Sequence, residues 1–68
     1  MENIKIITEY IKLDQFLKWT GMVSCGSDAK IAIDSGKIKV NGEIETRRGR
    51  KLRINDVIEI EKRIFRIE

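Results

Sequence analysis

The sequence predicts a small α+β domain in which a helix pair packs against a mainly antiparallel sheet. Three observations carry this. Apolar residues recur at helical spacing between Leu13 and Gly36, the period drops to two from Ile38 onward, and glycines at 21, 36 and 42 mark the changes. Sixty-eight residues are expected to form one domain, residues 1–68. A chain this short buries only about 60% of the surface its unfolded form exposes. Its 41% hydrophobic content suits one small core and is too high for a disordered tail.

The elements follow in order. Ile4, Lys5 and Ile6 alternate and are rich in β-branched residues, so residues 3–8 read as a strand. Leu13, Phe16 and Leu17 obey the i, i+3, i+4 rule, and Gly21 stops a helix over 13–19. Ser24 reads as the N-cap of a second helix over 25–35. Ala29, Ala32, Ile33 and Gly36 share one face of it, small enough for another helix to approach, and Gly36 supplies the left-handed position past its end. Lys30 and Asp34 lie away from that face, within reach of each other.

In the strand run, Ile38 and Val40 point one way and Lys39 the other, and Asn41-Gly42 is a strong turn signal. A two-residue turn there would set Ile44 opposite Lys39 and mix the faces. A three-residue loop with a bulge would pair Ile44 with Ile38 or Val40, and this is the expected form. Leu52 and Ile54 alternate, Asn55-Asp56 turns the chain, and Ile58 and Ile60 alternate with Glu59 and Glu61. A turn at Lys62-Arg63 would place Ile60 against Phe65, Ile58 against Ile67 and Glu59 against Arg66.

Composition excludes several classes of function. One cysteine, Cys25, and no histidine leave no disulfide framework, none of the usual zinc, copper or haem ligand sets, and no Ser-His or Cys-His nucleophile pair. No cofactor is expected. No apolar run approaches the ~20 residues of a membrane span, and the acids and lysines among the first isoleucines do not make a signal peptide. The expectation is a cytoplasmic, monomeric binding domain without membrane contact and not an enzyme.

Charge supplies the positive clue. Between Lys37 and Arg53 stand seven bases, Lys37, Lys39, Arg47, Arg48, Arg50, Lys51 and Arg53, against two acids, Glu43 and Glu45. The net charge of the whole chain is only +3. Such a local basic field is what a polyanion binder shows, although a solvated loop can look the same. A rival reading is a small protein-interaction module whose basic loop docks on an acidic partner.

The ordered set Leu13-Asp14-x-x-Leu17, Gly21, Ser24, Ala29, Gly36, Lys37-Ile38-Lys39-Val40-Asn41-Gly42 and Asp56-Val57-Ile58 resembles the RNA-binding domain named after ribosomal protein S-four. The resemblance spans about residues 12–60. The strand before the first helix and the run from Glu45 to Leu52 resemble the stand-alone, YaaA-like bacterial members. It implies the αL fold, two short helices followed by a small bent sheet. It also implies non-enzymatic binding of structured RNA, ribosomal or transfer RNA, in ribosome assembly or on the ribosome. Enzymes that carry the domain keep catalysis in a separate one.

Carried over residue by residue, the resemblance implies RNA contacts from Lys12 before Leu-Asp, Lys30 after the helix-two alanine, and Lys37, Lys39 and Asn41 around the turn. Where the larger family commonly has arginine after the capping serine, this chain has Cys25 and then Gly26. The cluster Arg47, Arg48, Arg50 and Lys51 would then compensate, since a guanidinium fork suits phosphate. Lys18 completes the basic set beside the helices. Each residue also has a plainer role. Ser24, also a candidate RNA contact, is first a cap, Asn41 first turn chemistry, Asp14 first a favourable charge at a helix start, and Cys25 a small residue. Trp19 lies off the apolar stripe of its helix. Packing against Ile31, Tyr10 or Phe65 is expected of it before stacking on an unpaired base.

Overall fold

The computed structural model describes all 68 residues. The strands are β1 (Glu2–Ile4), β2 (Ile11–Lys12), β3 (Ile38–Val40), β4 (Glu43–Ile44), β5 (Lys51–Leu52), β6 (Val57–Ile60) and β7 (Arg63–Ile67), and the helices are α1 (Leu13–Trp19) and α2 (Gly26–Asp34). Five strands form one sheet in the order β1-β7-β6-β3-β4, and β2 pairs with β5 in a separate ribbon. Every pairing is antiparallel except β1 with β7. The predicted α+β class, helices on a mainly antiparallel sheet, is the one observed.

The alternation from Ile38 onward gives the sheet one apolar face. Ile38, Val40, Ile58, Ile60, Phe65 and Ile67 are all buried there, and Leu13, Phe16 and Leu17 of α1 with Ala29 and Ile33 of α2 cover them. The rings of Phe16 and Phe65 meet edge to face at 5.4 Å between centroids, a favoured aromatic geometry. Both helices stop at a glycine with positive φ, Gly21 at 80° and Gly36 at 77°.

Local expectations fail at four places. The first strand is shorter than residues 3–8, and the chain forms a further strand at Ile11–Lys12. Ser24 is not the cap of α2. Cys25 stands there without a side-chain cap, and the Ser24 hydroxyl donates instead to the Asp28 carboxylate at 2.9 Å. The β3–β4 connection is the two-residue turn, not the bulged loop. Asn41 and Gly42 have φ of 53° and 86°, both left-handed as the tightest hairpin turn requires. Lys39 therefore faces Ile44, and the mixed face is resolved by leaving Ile44 59% exposed. Finally, Glu61 takes the left-handed position at φ 55°, so the β6–β7 turn lies one residue earlier than expected. Ile58 faces Phe65, Glu59 faces Ile64 and Ile60 faces Arg63. This shift preserves which face each residue occupies, so the apolar face survives.

Trp19 is also not packed in the core, being 57% exposed, and Ile31, its expected neighbour, is 68% exposed. No helix is long and apolar enough to cross a membrane.

Candidate nucleic-acid interface

The start of α1 is the point on which the basic residues converge. A helix leaves its first N–H groups without partners inside the helix. Here the loop between β4 and β5 supplies two: the Leu13 N–H donates to the Arg50 carbonyl at 2.9 Å and the Asp14 N–H to the Arg48 carbonyl at 3.2 Å. The β2–β5 ribbon finishes the attachment. Ile11 faces Leu52 on its inner side, and Lys12 faces Lys51 on its exposed side. The distant loop is thus fastened to the helix by backbone, and its cations are held beside Lys12.

Glu45 organises that loop from beneath. The tight turn at Asn41-Gly42 turns Ile44 outward and brings Glu45, 7% exposed, to the inside. Its N–H donates to the Ile38 carbonyl at 2.9 Å. Its carboxylate accepts from the backbone N–H groups of Thr46 and Arg47, each at 3.1 Å. It also accepts Nε and Nη2 of Arg47, each at 3.1 Å, and Nη1 of Arg50 at 2.8 Å. The Arg47 hydrogen bonds hold the Glu45 carboxyl down at about 2 against the opposing effect of burial, and Arg50 adds to them. The reciprocal contact raises the Arg47 guanidinium above its ordinary value. The expectation that Arg47, Arg48, Arg50 and Lys51 all offer their charge to phosphate therefore needs correction in space. Arg47 has committed two of its donors to Glu45, and Arg50 has committed one.

Arg48, Lys51 and Lys12 form no ion pair. Lys12 and Lys51 are like charges directly opposite each other on a ribbon, an arrangement that costs stability when nothing anionic lies between them. Arg47, Gly49, Arg50 and Lys51 line an open hollow of about 500 Å³. Beside it the Tyr10 ring carries the Lys51 ammonium 4.9 Å and the Arg53 guanidinium 5.6 Å from its centroid. Arg53 also pairs with Glu9 at 3.3 Å.

The structure brings together Lys12, Arg47, Arg48, Arg50 and Lys51 of the residues the sequence singles out. It does not bring Lys37 and Lys39 to them. Lys39 lies in β3 and Lys37 just before it; the two line a hollow of about 360 Å³ with Gly36, Glu59 and Glu61, and Glu59 is the cross-strand partner of Lys39. Their charge is balanced locally. Lys18 and Lys30 are exposed on the helices and unpaired; Lys30 makes no ion pair with Asp34. Asn41 is fully engaged in its turn, with Nδ2 donating to the Asp56 carboxylate at 3.1 Å and Oδ1 accepting the Val57 N–H at 3.0 Å. Sequence reasoning did not identify Glu45 and Tyr10 as parts of this region. The face conflict around Ile44 was a usable signal for Glu45, because a tight turn there must carry residue 45 inward. Tyr10 gave none, since its partners lie more than forty residues away in the chain.

A small sheet with a helix pair on one face, and a cationic loop fastened across the start of the first helix, defines a nucleic-acid-binding type of domain. The family model of the S4 domain matches residues 4–68, and the chain belongs to that family, whose fold is RNA-binding and not catalytic. It is 47% identical over 58 residues to the "Probable ribosome maturation protein RlbA" of Bacillus subtilis (strain 168), covering 85% of this chain and 82% of that one. It is 42% identical over 43 residues to YbcJ of Escherichia coli (strain K12), provisionally named an RNA-binding protein, covering 63% of this chain and 61% of that one. The solution structure of E. coli YbcJ, described as revealing an αL motif involved in RNA binding, superposes with a TM-score of 0.72 at 28% identity, over 98% of this chain and 86% of that one. The ribosomal protein S4e of Thermoplasma acidophilum shares the fold, with a TM-score of 0.65 at 21% identity, over 87% of this chain and 31% of that one.

Proposed function

We propose that this protein binds structured RNA, specifically ribosomal RNA, and acts in ribosome assembly or on the ribosome as a cytoplasmic monomer. The observation that carries the reading is the opposed pair Lys12 and Lys51 beside the backbone-fastened arginine loop. A rigid cationic edge suits A-form RNA, whose base edges lie in a deep, narrow groove and which is read mainly by shape, phosphates and 2′-hydroxyls. Lys12, Arg48, Arg50 and Lys51 take phosphates, and Lys18 and Lys30 extend the contact along the helices. Arg47 chiefly holds Glu45 and, through it, the loop. Kinship with a protein named for ribosome maturation supports the ribosomal target.

The test is a salt titration on a structured ribosomal RNA fragment and a scrambled control, with crosslinking in cells to identify the bound RNA. Neutralising four to six phosphates gives a slope of log K against log salt of roughly −3 to −5. A slope near zero, or a stoichiometric protein partner that survives nuclease while no RNA crosslinks, overturns the reading.

A further inference from the structure

We propose that Trp19 stacks on an unpaired nucleobase of the RNA whose phosphates the Lys12–Lys51 edge holds, so that the target is a helix interrupted by a bulge or flanked by a single strand. This rests on the RNA-binding reading above and adds to it a base-contacting residue and a class of target.

The argument starts from α1. Leu13, Phe16 and Leu17 are fully buried and define its inner side. Gln15 and Trp19 are four residues apart, so they share one outer side, one turn from each other. Lys12 and Gln15 in turn line one hollow of about 510 Å³ together with Thr8, Glu9, Tyr10 and Ile11. The hollow therefore begins at the cationic ribbon, where Lys12 faces Lys51, and ends one turn short of the indole. By the rise of a helix, Lys12 and Trp19 are about 10 Å apart along the axis.

An aromatic 57% exposed leaves most of its surface to solvent, where a partner can take it. The backbone that carries it is, however, fixed. Trp19 closes α1, and the next residue, Thr20, donates its N–H to the Phe16 carbonyl at 3.0 Å and its hydroxyl to the Leu17 carbonyl at 3.1 Å. A solvent-facing indole within one nucleotide's reach of a cationic edge is the arrangement that binds an unstacked base, because every base presents a π face and the phosphate on either side needs a cation. A fully paired duplex offers no such base.

Trp19 is the single tryptophan, so emission excited at the red edge, where Tyr10 does not absorb, reports on it alone. The probes are a short RNA duplex with an adenosine bulge and the same duplex fully paired, each followed by anisotropy of a labelled copy and by tryptophan emission with an unlabelled one. The expected result is quenching by the bulged duplex at saturation and tighter binding of it than of the paired one. Trp19→Ala should lose roughly tenfold on the bulged duplex and little on the paired one, and Trp19→Phe should recover most of the loss. Thermal melts confirm that both variants fold. Binding of the bulged duplex without quenching, or equal losses by Trp19→Ala on both duplexes, overturns the stacking proposal and leaves RNA binding standing. Absence of binding to either duplex at low salt counts against RNA binding itself, and stacking falls with it.

Discussion

Glu45 and Arg50 meet at 2.8 Å between Oε1 and Nη1, joining the residue that the hairpin turn buries to the residue whose carbonyl receives the first N–H of α1. Through that contact the basic loop is a built part of the fold. Its cations consequently do not behave alike when removed.

Arg48→Ala is expected to weaken RNA binding and to reduce the steepness of its salt dependence by about one unit, since the side chain has no partner in the protein. Its melting should be unchanged within about 0.5 kcal/mol. Arg50→Ala should weaken binding and also destabilise the domain by roughly 1–3 kcal/mol, because it strips a charged hydrogen bond from a buried carboxylate. Salt titrations paired with thermal melts separate the two. Equal melting of both variants would refute the structural share assigned to Arg50.

Acid should loosen the same loop. The Glu45 carboxyl lies at about 2 in the folded protein, below its ordinary 4.5. A carboxyl depressed by folding stabilises the native state above its unfolded pKa and stops doing so as it is protonated. Stability should therefore decline as pH falls from about 4.5 towards 2, by an amount on the order of 1–3 kcal/mol after allowing for the solvent exposure of Arg47. Glu45→Gln should flatten that part of the profile. Urea titrations at several pH values measure it, and a Glu45→Gln profile as steep as the parent's would refute the assignment.

Ala29 is fully buried at the contact between α1 and α2. Ala29→Leu should cost roughly 1–3 kcal/mol by overpacking, and a melt matching that of the parent would show that the helices separate freely there.

Asn41→Ala should destabilise the domain by about 1–2 kcal/mol, since it removes both side-chain hydrogen bonds to the start of β6 and places alanine at positive φ. The salt slope and the preference among RNAs should not change. A changed preference among RNAs would make Asn41 a base reader.

The change of period at Ile38 and the spacing of Leu13, Phe16 and Leu17 made the architecture legible, because burial enforces both patterns and a sequence cannot hide them. What burial does not enforce was harder to read. The β6–β7 register could slip by one turn position without moving any residue to the wrong face. At β3–β4 the bulged loop is preferable only if Ile44 is core, which would leave Glu45 at the surface. The structure reverses the two, and two arginines make the reversal tolerable. The ribbon of two-residue strands at Ile11 and Leu52 is too short to show alternation. The basic loop itself was visible as a charge excess, but its attachment to α1 runs through backbone groups that every sequence possesses. General tendencies favour packing for a tryptophan, and helical spacing says of Trp19 only that it lies off the apolar stripe.

The strand order has a consequence for how the protein is made. β7, residues 63–67, lies inside the sheet between β1 and β6, and the Glu68 N–H and carbonyl bond to Ile4 and Ile6. The first strand of the chain thus has no partner until one of the last arrives, and Phe16 waits equally for Phe65. During synthesis, which adds about 5–20 residues each second, the helices can form early, but the sheet cannot close until β7 has left the exit tunnel. The cationic loop between β4 and β5 is made only shortly before β7, so the loop and the sheet that carries it take shape together, after the helices.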